Sequence, residues 1–151
     1  MIKEFDLDIF RRKLWIAVCS QYEEISSKFT IEVNGNQEEL SSDRWNEWCK
    51  KGLCITLRAV NKETKKLGYL IIMLHQFDKG SELVGAVAHE GCHVSDFLQE
   101  DIGVVNGDTE INAHITGYVA EKFMLTWNEE KENEENEDKN DKKDDTQPVA
   151  E

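Results

Sequence analysis

Two histidines and a glutamate, His89, Glu90 and His93, have the types and the spacing of an HExxH metal-binding motif. Residues four apart lie on one face of an α-helix, about 5–6 Å apart at Cβ, so both imidazoles can reach one tetrahedral ion. Glu90 is rotated by about 100° from His89, so it cannot be a ligand in this geometry, but it can reach a water molecule bound to the ion. The arrangement predicts two zinc ligands with a general base between them.

The motif lies inside a predicted helix that is apolar almost all round. Ser81 is a suitable N-cap and Gly103 a suitable stop, which predicts a helix from Ser81 to about Gln99 or Glu100. Two histidines and a glutamate are costly in such a helix without a shared purpose. We therefore interpret the motif as a site for one Zn²⁺ ion and not as a pair of hydrogen-bonded core histidines. The apolar residues of the helix are Leu83, Val84, Ala86, Val87, Ala88, Val94, Phe97 and Leu98.

A zinc site needs a third protein ligand, and a second predicted helix, from about residue 108 to about residue 127, offers candidates. Glu110, His114 and Tyr118 repeat every four residues and share a stripe distinct from the apolar one. Glu110 is our first choice as the third ligand. His114 is the alternative, and Glu110 would then act outside the coordination sphere. The small residues of this helix, which would allow close helix packing, are Ala113, Gly117 and Ala120.

The motif and the helix after it resemble the gluzincin metallopeptidases. The matching residues are His89-Glu-Gly-Cys-His93 and, after a short loop, Glu110-Ile-Asn-Ala-His-Ile-Thr-Gly-Tyr118. The likeness is greatest to small HExxH proteins encoded by phages and prophages, and it extends over about residues 83 to 118. It implies that Glu110 is the third zinc ligand. The larger gluzincins have an aspartate four residues after the ligand glutamate, where this chain has His114.

The motif and the resemblance together imply a zinc metallopeptidase that acts on a peptide or protein substrate. A zinc-bound water, activated by Glu90, would attack a peptide carbonyl, and Glu90 would pass the proton to the leaving amine. Tyr118 or His114 could add a hydrogen bond to the oxyanion. One strand of a hairpin predicted over residues 53–74 is the candidate for holding an extended substrate by strand addition.

Two other functions stay open on the sequence alone. The first is a zinc-stabilised interaction protein of phage or prophage type that has no catalytic activity. The second is a zinc hydrolase that acts on a non-peptide amide, because the same ion and base serve any such carbonyl.

The rest of the chain supplies the elements that must position the site. Phe5, Leu7 and Ile9 alternate with acidic residues, as in a half-buried strand. Together with the 53–74 hairpin, they predict an α+β fold: a small, minimal zincin-like domain in which an antiparallel sheet packs on the active-site helix and a following helix. Further predicted elements are a second strand near residues 14–18, a short helix at 21–28, a turn at Asn34-Gly35 and a helix capped by Ser41 or Ser42.

The length and charge of the chain limit its possible domain organisation and binding partners. The 151 residues predict one domain over 1–128, followed by a disordered acidic tail over 129–151 that carries 11 acidic residues and four lysines. The net charge of −13 argues against binding to nucleic acid or to anionic membranes. The chain has neither a signal-peptide pattern nor a membrane-spanning apolar run, so we expect a cytoplasmic location and four reduced cysteines.

Overall fold

A computed structural model describes residues 1–77, 80–104 and 108–144. The strands in these residues are β1 (Ile2–Leu7), β2 (Arg12–Ala17), β3 (Phe29–Val33), β4 (Asn36–Glu39), β5 (Cys54–Asn61) and β6 (Leu67–Met73). They form one sheet in the order β1-β2-β6-β5-β3-β4. β2 and β6 run parallel and the other neighbours antiparallel. The predicted α+β class is confirmed, and the sheet is mixed where an antiparallel one was predicted.

Helices cover both faces of the sheet. The helices of the described residues are α1 (Tyr22–Lys28), α2 (Ser42–Lys51), α3 (Gly80–Asp101) and α4 (Thr109–Asp144), with a 3₁₀ helix, Asp8–Phe10, between β1 and β2. α3 and α4 pack on one face, and α1 and α2 pack on the other. No helix in this part of the chain is long and apolar enough to cross a membrane.

Two apolar cores lie on opposite faces of the sheet because successive strand residues point in opposite directions. On β2, Leu14 and Ile16 join the core under α3 and α4, whereas Trp15 and Ala17 join the core under α1 and α2. β6 is central, and six of its seven residues are buried, as predicted for a strand covered on both faces. The HExxH helix therefore packs against a sheet in which the central strand β6 is almost completely buried.

Two local predictions from the sequence, a turn at Asn34-Gly35 and a helix cap at Ser41, are confirmed. Asn34 and Gly35 both have positive φ, 51° and 78°, as a two-residue turn between β3 and β4 requires. Ser41 caps α2, since its Oγ accepts a hydrogen bond from the backbone N–H of Arg44 at 3.3 Å. The α2 helix thus starts where the cap places it and leads directly into β5.

The second site helix, α4, does not end near Trp127 as predicted. The helix continues to Asp144, and residues 145–151, the end of the segment predicted to be a disordered tail, lie outside the described residues. Glu130 lies 3.5 Å from the N-terminal amino group, and Lys131 pairs with Glu134 one turn further along at 2.7 Å. Such ion pairs between neighbouring turns favour a helix that has few apolar residues.

α3 and α4 pack closely at Gly91, a residue inside the HExxH motif. A Cβ added at Gly91 would lie 3.2–3.3 Å from the side chain and backbone of Thr116. A Cβ added at Gly117 would meet no atom within 4 Å, so Gly117 does not make the close helix contact for which it was predicted. The bare backbone of Gly91 is what lets α4 lie against the motif helix.

We expect Gly91→Val to lower the free energy of unfolding by about 1–3 kcal/mol more than Gly85→Val does, because overpacking a close contact costs about that much. Gly85 lies on the same helix and has open space around it, so it controls for the lower helix propensity of valine. Urea unfolding followed by circular dichroism measures both values. Equal losses for the two variants would contradict the close contact.

Candidate metal site

The two motif histidines converge on one point at the surface of α3. Their Nε2 atoms are 3.0 Å apart, and the rings stand nearly perpendicular, at 86°. Two nitrogens bound to one tetrahedral zinc ion lie about 3.3 Å apart for bonds of about 2.0–2.1 Å, so the pair needs only a small adjustment to share an ion. The same distance also lets the N–H of one neutral ring donate a hydrogen bond to the other.

Glu90 points from the motif helix into the interface with the sheet, and it is only 5% exposed. The hydroxyl of Thr56 on β5 donates a hydrogen bond to Glu90 Oε2 at 2.6 Å. Burial, with the Glu90 charge as a second cause, raises the pKa of the neighbouring Cys54 thiol to about 12. The carboxylate is thus held in one orientation, and Cys54 stays a neutral thiol beside it.

The motif residues and β5 together enclose a small cavity of about 210 Å³. α3 contributes the three motif side chains, and β5 contributes the opposite wall. The lining residues are Cys54, Ile55, Thr56, His89, Glu90, His93 and Phe97. A reacting group in this cavity would meet both imidazoles and the buried carboxylate.

An aromatic ring, Phe97, lies next to the His93 ring, and a cation, Arg58, lies over Phe97. Its ring stacks on Phe97, with centroids 6.4 Å apart and planes 26° apart. The guanidinium of Arg58 lies 4.3 Å from the centre of the Phe97 ring, and its Nε donates to Asp101 at 3.1 Å. Phe97 thus lies beside the His93 imidazole, and Arg58 lies over Phe97.

The β5 strand presents an open edge next to the cavity. On the β3 side its partners cover only residues 59–61, so within the described residues no strand pairs with Cys54 or Thr56 on that side. Leu53 accepts a hydrogen bond from Leu74 on the β6 side. Because the main-chain groups of a strand alternate in direction, those of Cys54 and Thr56 point to the open edge.

The stripe predicted to complete the site lies elsewhere. Glu110 is 85% exposed, and its nearest ion-pair partner is His114, 3.7 Å away and 80% exposed. Tyr118 donates its hydroxyl hydrogen to the carbonyl of Asp6 at 3.0 Å, beside β1. β1 is at one end of the sheet, whereas the motif histidines lie over β5.

Glu110, His114 and Tyr118 lie away from the histidine pair because a different face of α4 is turned toward α3. Thr116 is an α4 residue that faces the motif helix, at Gly91. His114 and Tyr118 each lie two residues from Thr116, so they point about 160° away from α3. The structure therefore does not bring Glu110, His114 or Tyr118 to the histidine pair.

A complete set of metal ligands is not present in the described geometry. Among residues 1–77, 80–104 and 108–144, no group of three or more His, Cys, Asp or Glu side chains is arranged to hold a metal ion. The motif supplies two suitable nitrogen donors, and neither Glu110 nor His114 supplies the third ligand here. The sequence-based choice between Glu110 and His114 is thus not supported by their positions.

Thr56 is the site residue that sequence reasoning missed. The available signal was a hydroxyl between the apolar residues Ile55 and Leu57, on the first strand of the predicted hairpin. In the structure this residue faces α3 and holds Glu90.

We expect Thr56→Val to lower the free energy of unfolding at neutral pH by about 1–3 kcal/mol, because it leaves a buried carboxylate without its hydrogen-bond donor. Thr56→Ser keeps the hydroxyl and is expected to retain most of that stability. Thermal and urea unfolding of the two variants provide the comparison. If serine and valine proved equally damaging, the hydrogen bond to Glu90 would not be the cause.

Comparison of the chain with protein-family models, with curated protein sequences and with solved structures finds no match.

Proposed function

We propose that this protein is a zinc-dependent hydrolase, specifically a metallopeptidase, with His89 and His93 as metal ligands and Glu90 as general base. One observation carries the proposal: the two Nε2 atoms converge to 3.0 Å in a cavity that also contains a buried carboxylate. Imidazole nitrogen is a preferred ligand of zinc, and the separation of the two nitrogens is close to that of a shared ion.

A zinc ion bound there would supply a Lewis acid, which polarises a carbonyl and makes a water molecule more acidic. Glu90 would accept a proton during attack on the carbonyl and then donate it to the leaving amine. Thr56 donates to Oε2 of this carboxylate, so Oε1 is the oxygen left to handle the proton. Phe97 would keep the His93 ring directed at the ion.

The open edge of β5 favours a peptide as the substrate. An extended peptide can add a strand at the main-chain groups of Cys54 and Thr56, which point to that edge. Its backbone would then run past the mouth of the motif cavity, which has β5 as one wall. A non-peptide amide would gain nothing from these main-chain groups.

A purely structural zinc site is less compatible with the same geometry. Structural zinc ions are almost always held by four protein ligands and catalytic ones by three with a water molecule, so the two converging nitrogens of the described residues lie nearer to the catalytic number. Both apolar cores also form without the histidines. An ion at this position would keep coordination positions open, as catalysis requires.

The decisive experiment is a peptide-library cleavage assay on purified protein, run after chelation and again after stoichiometric zinc is restored. We expect cleavage that is lost on chelation and returns with zinc. Zinc binding without cleavage of any library would contradict the peptidase, and absence of zinc binding would contradict the metal site itself.

A further inference from the structure

The two outer edges of the sheet are protected against pairing with another strand. β4 lies at one end, and its residues, Asn36–Glu39, are all polar and exposed. β1 lies at the other end and carries the charged residues Lys3, Glu4 and Asp6. The hydroxyl of Tyr118 also donates a hydrogen bond to the main-chain carbonyl of Asp6. Charged side chains and occupied main-chain groups of this kind keep an edge from adding a strand.

β5 has an edge that lacks this protection. We call residues 54–58 the open segment, because β3 pairs only with residues 59–61 on that side and no other strand of the described residues replaces it. The first four residues, Cys54-Ile-Thr-Leu57, include neither a charge nor a proline. The charge of Arg58, which ends the segment, is paired with acidic residues of α3 and β3. An open edge of this composition promotes aggregation unless a strand covers it, so it is suited to strand addition.

The side chains of the open segment point alternately to the two faces of the sheet. Thr56 faces α3 and binds Glu90, and Cys54 lines the motif cavity beside it. Ile55 and Leu57 pack against the core under α1 and α2. Residues that lie opposite each other on two paired strands have their side chains on the same face. The peptide residues opposite Ile55 and Leu57 would therefore lie against apolar side chains, on the face away from α3.

We propose that the substrates are extended peptides with large apolar residues at two positions separated by one residue, an inference that rests on the proposed function. Ile55 and Leu57 would contact the two apolar residues, since cross-strand pairs of β-branched and other large apolar side chains stabilise a sheet. A charged residue at either position would lose hydration against them. The residue between the two would lie opposite Thr56, with its main chain beside the cavity that contains His89 and His93.

The test measures peptide binding to the chelated wild type, so that neither zinc nor cleavage affects the result. Two peptides differ only at the two selected positions, which are valine in one and serine in the other. We expect the valine peptide to bind about fivefold more tightly in fluorescence anisotropy, as two favourable cross-strand pairs would give. Equal binding of the two peptides would overturn the inference.

Leu57→Glu should remove the preference for valine. Two further peptides each have one valine replaced by lysine, and one of them should bind this variant more tightly than the valine peptide does. Leu67→Glu is the matched control, because Leu67 is 49% exposed on the neighbouring strand β6 and does not line the motif cavity. It should prefer valine as the wild type does. An unchanged preference in Leu57→Glu would contradict the role of Leu57.

Three further outcomes separate this inference from the proposed function. If circular dichroism shows that Leu57→Glu is unfolded, Leu57→Thr keeps a strand-forming residue and should lose part of the preference. With zinc restored, cleavage of library peptides without any preference at these positions would overturn this inference and leave the hydrolase standing. Preferred binding without cleavage would overturn the hydrolase and leave the selectivity of the open segment standing. In sedimentation, a wild-type dimer that Leu57→Glu dissociates would assign the open segment to a second copy and reject the inference.

Discussion

Replacing His93 by alanine is expected to abolish stoichiometric zinc binding. Its Nε2 is one of the two nitrogen donors that converge in the described part of the chain, 3.0 Å from that of His89, so its loss leaves a single imidazole there. The affinity should fall by more than about 100-fold, because even outer hydrogen-bond partners of metal ligands contribute about 10–100-fold. Elemental analysis of dialysed protein and isothermal titration with zinc give the stoichiometry and the affinity. His89→Ala should behave in the same way.

Two matched variants make this result specific. His75→Ala removes an exposed histidine whose Nε2 contacts the carbonyl of Cys49 and which does not line the motif cavity, and it should keep the wild-type stoichiometry. Glu110→Ala should also keep it, because Glu110 is 85% exposed and pairs with His114. Loss of zinc from Glu110→Ala would contradict the described position of α4 and restore the ligand assignment that the gluzincin resemblance implies.

Removing the metal with a chelator should leave the fold intact. Both cores form without the histidines, and His89 is exposed. Circular dichroism of the wild type and of His93→Ala should therefore be the same. This separates loss of zinc from loss of structure in every comparison above.

Replacing Glu90 by glutamine is the second change with a large expected effect. We expect the rate of peptide cleavage to fall by about 10²–10⁴-fold, which is the usual contribution of a general base. Zinc content should stay at the wild-type level, because Glu90 is not among the converging donors. Glutamine has nearly the same shape, and its amide oxygen can still accept the hydrogen bond from Thr56.

Glu100→Gln is the control for this variant. Glu100 lies on the same helix, is 67% exposed, and binds Arg58 rather than any motif residue, so its variant should cleave at the wild-type rate. If Glu90→Gln cleaved as fast as the wild type, Glu90 would not be the base. If His93→Ala also kept full activity, the cleavage would come from a contaminating peptidase.

The sequence predicted that His89 and His93 share one helix face, and it also predicted most helix and strand positions. Residues at i and i+4 share a face on any helix, so the convergence of His89 and His93 follows from spacing alone. Caps and turns also act locally, which is why Ser41 and Asn34-Gly35 mark their elements correctly. These features depend on neighbours in the chain, which the sequence displays directly.

The placement of α4 could not be predicted in this way. Spacing shows that Glu110, His114 and Tyr118 share a stripe, but not which neighbour that stripe meets. The direction of α4 is set by its contact with Gly91, between residues 25 positions apart, and by the bond from Tyr118 to Asp6 across the chain. The parallel pairing of β2 with β6 also joins residues that are distant in sequence, and it was missed for the same reason.

The contacts that Thr56 and Thr116 make with the motif helix have a consequence for how tightly an ion can be held by few ligands. Thr56 on one side and Thr116 on the other leave α3 little freedom to roll or slide. The ordering entropy of the histidine pair is then already lost when the chain folds, and coordination does not have to supply it again. If zinc binds there as proposed, less of the binding free energy would be spent on ordering the two imidazoles, and the other coordination positions would be left for water and substrate.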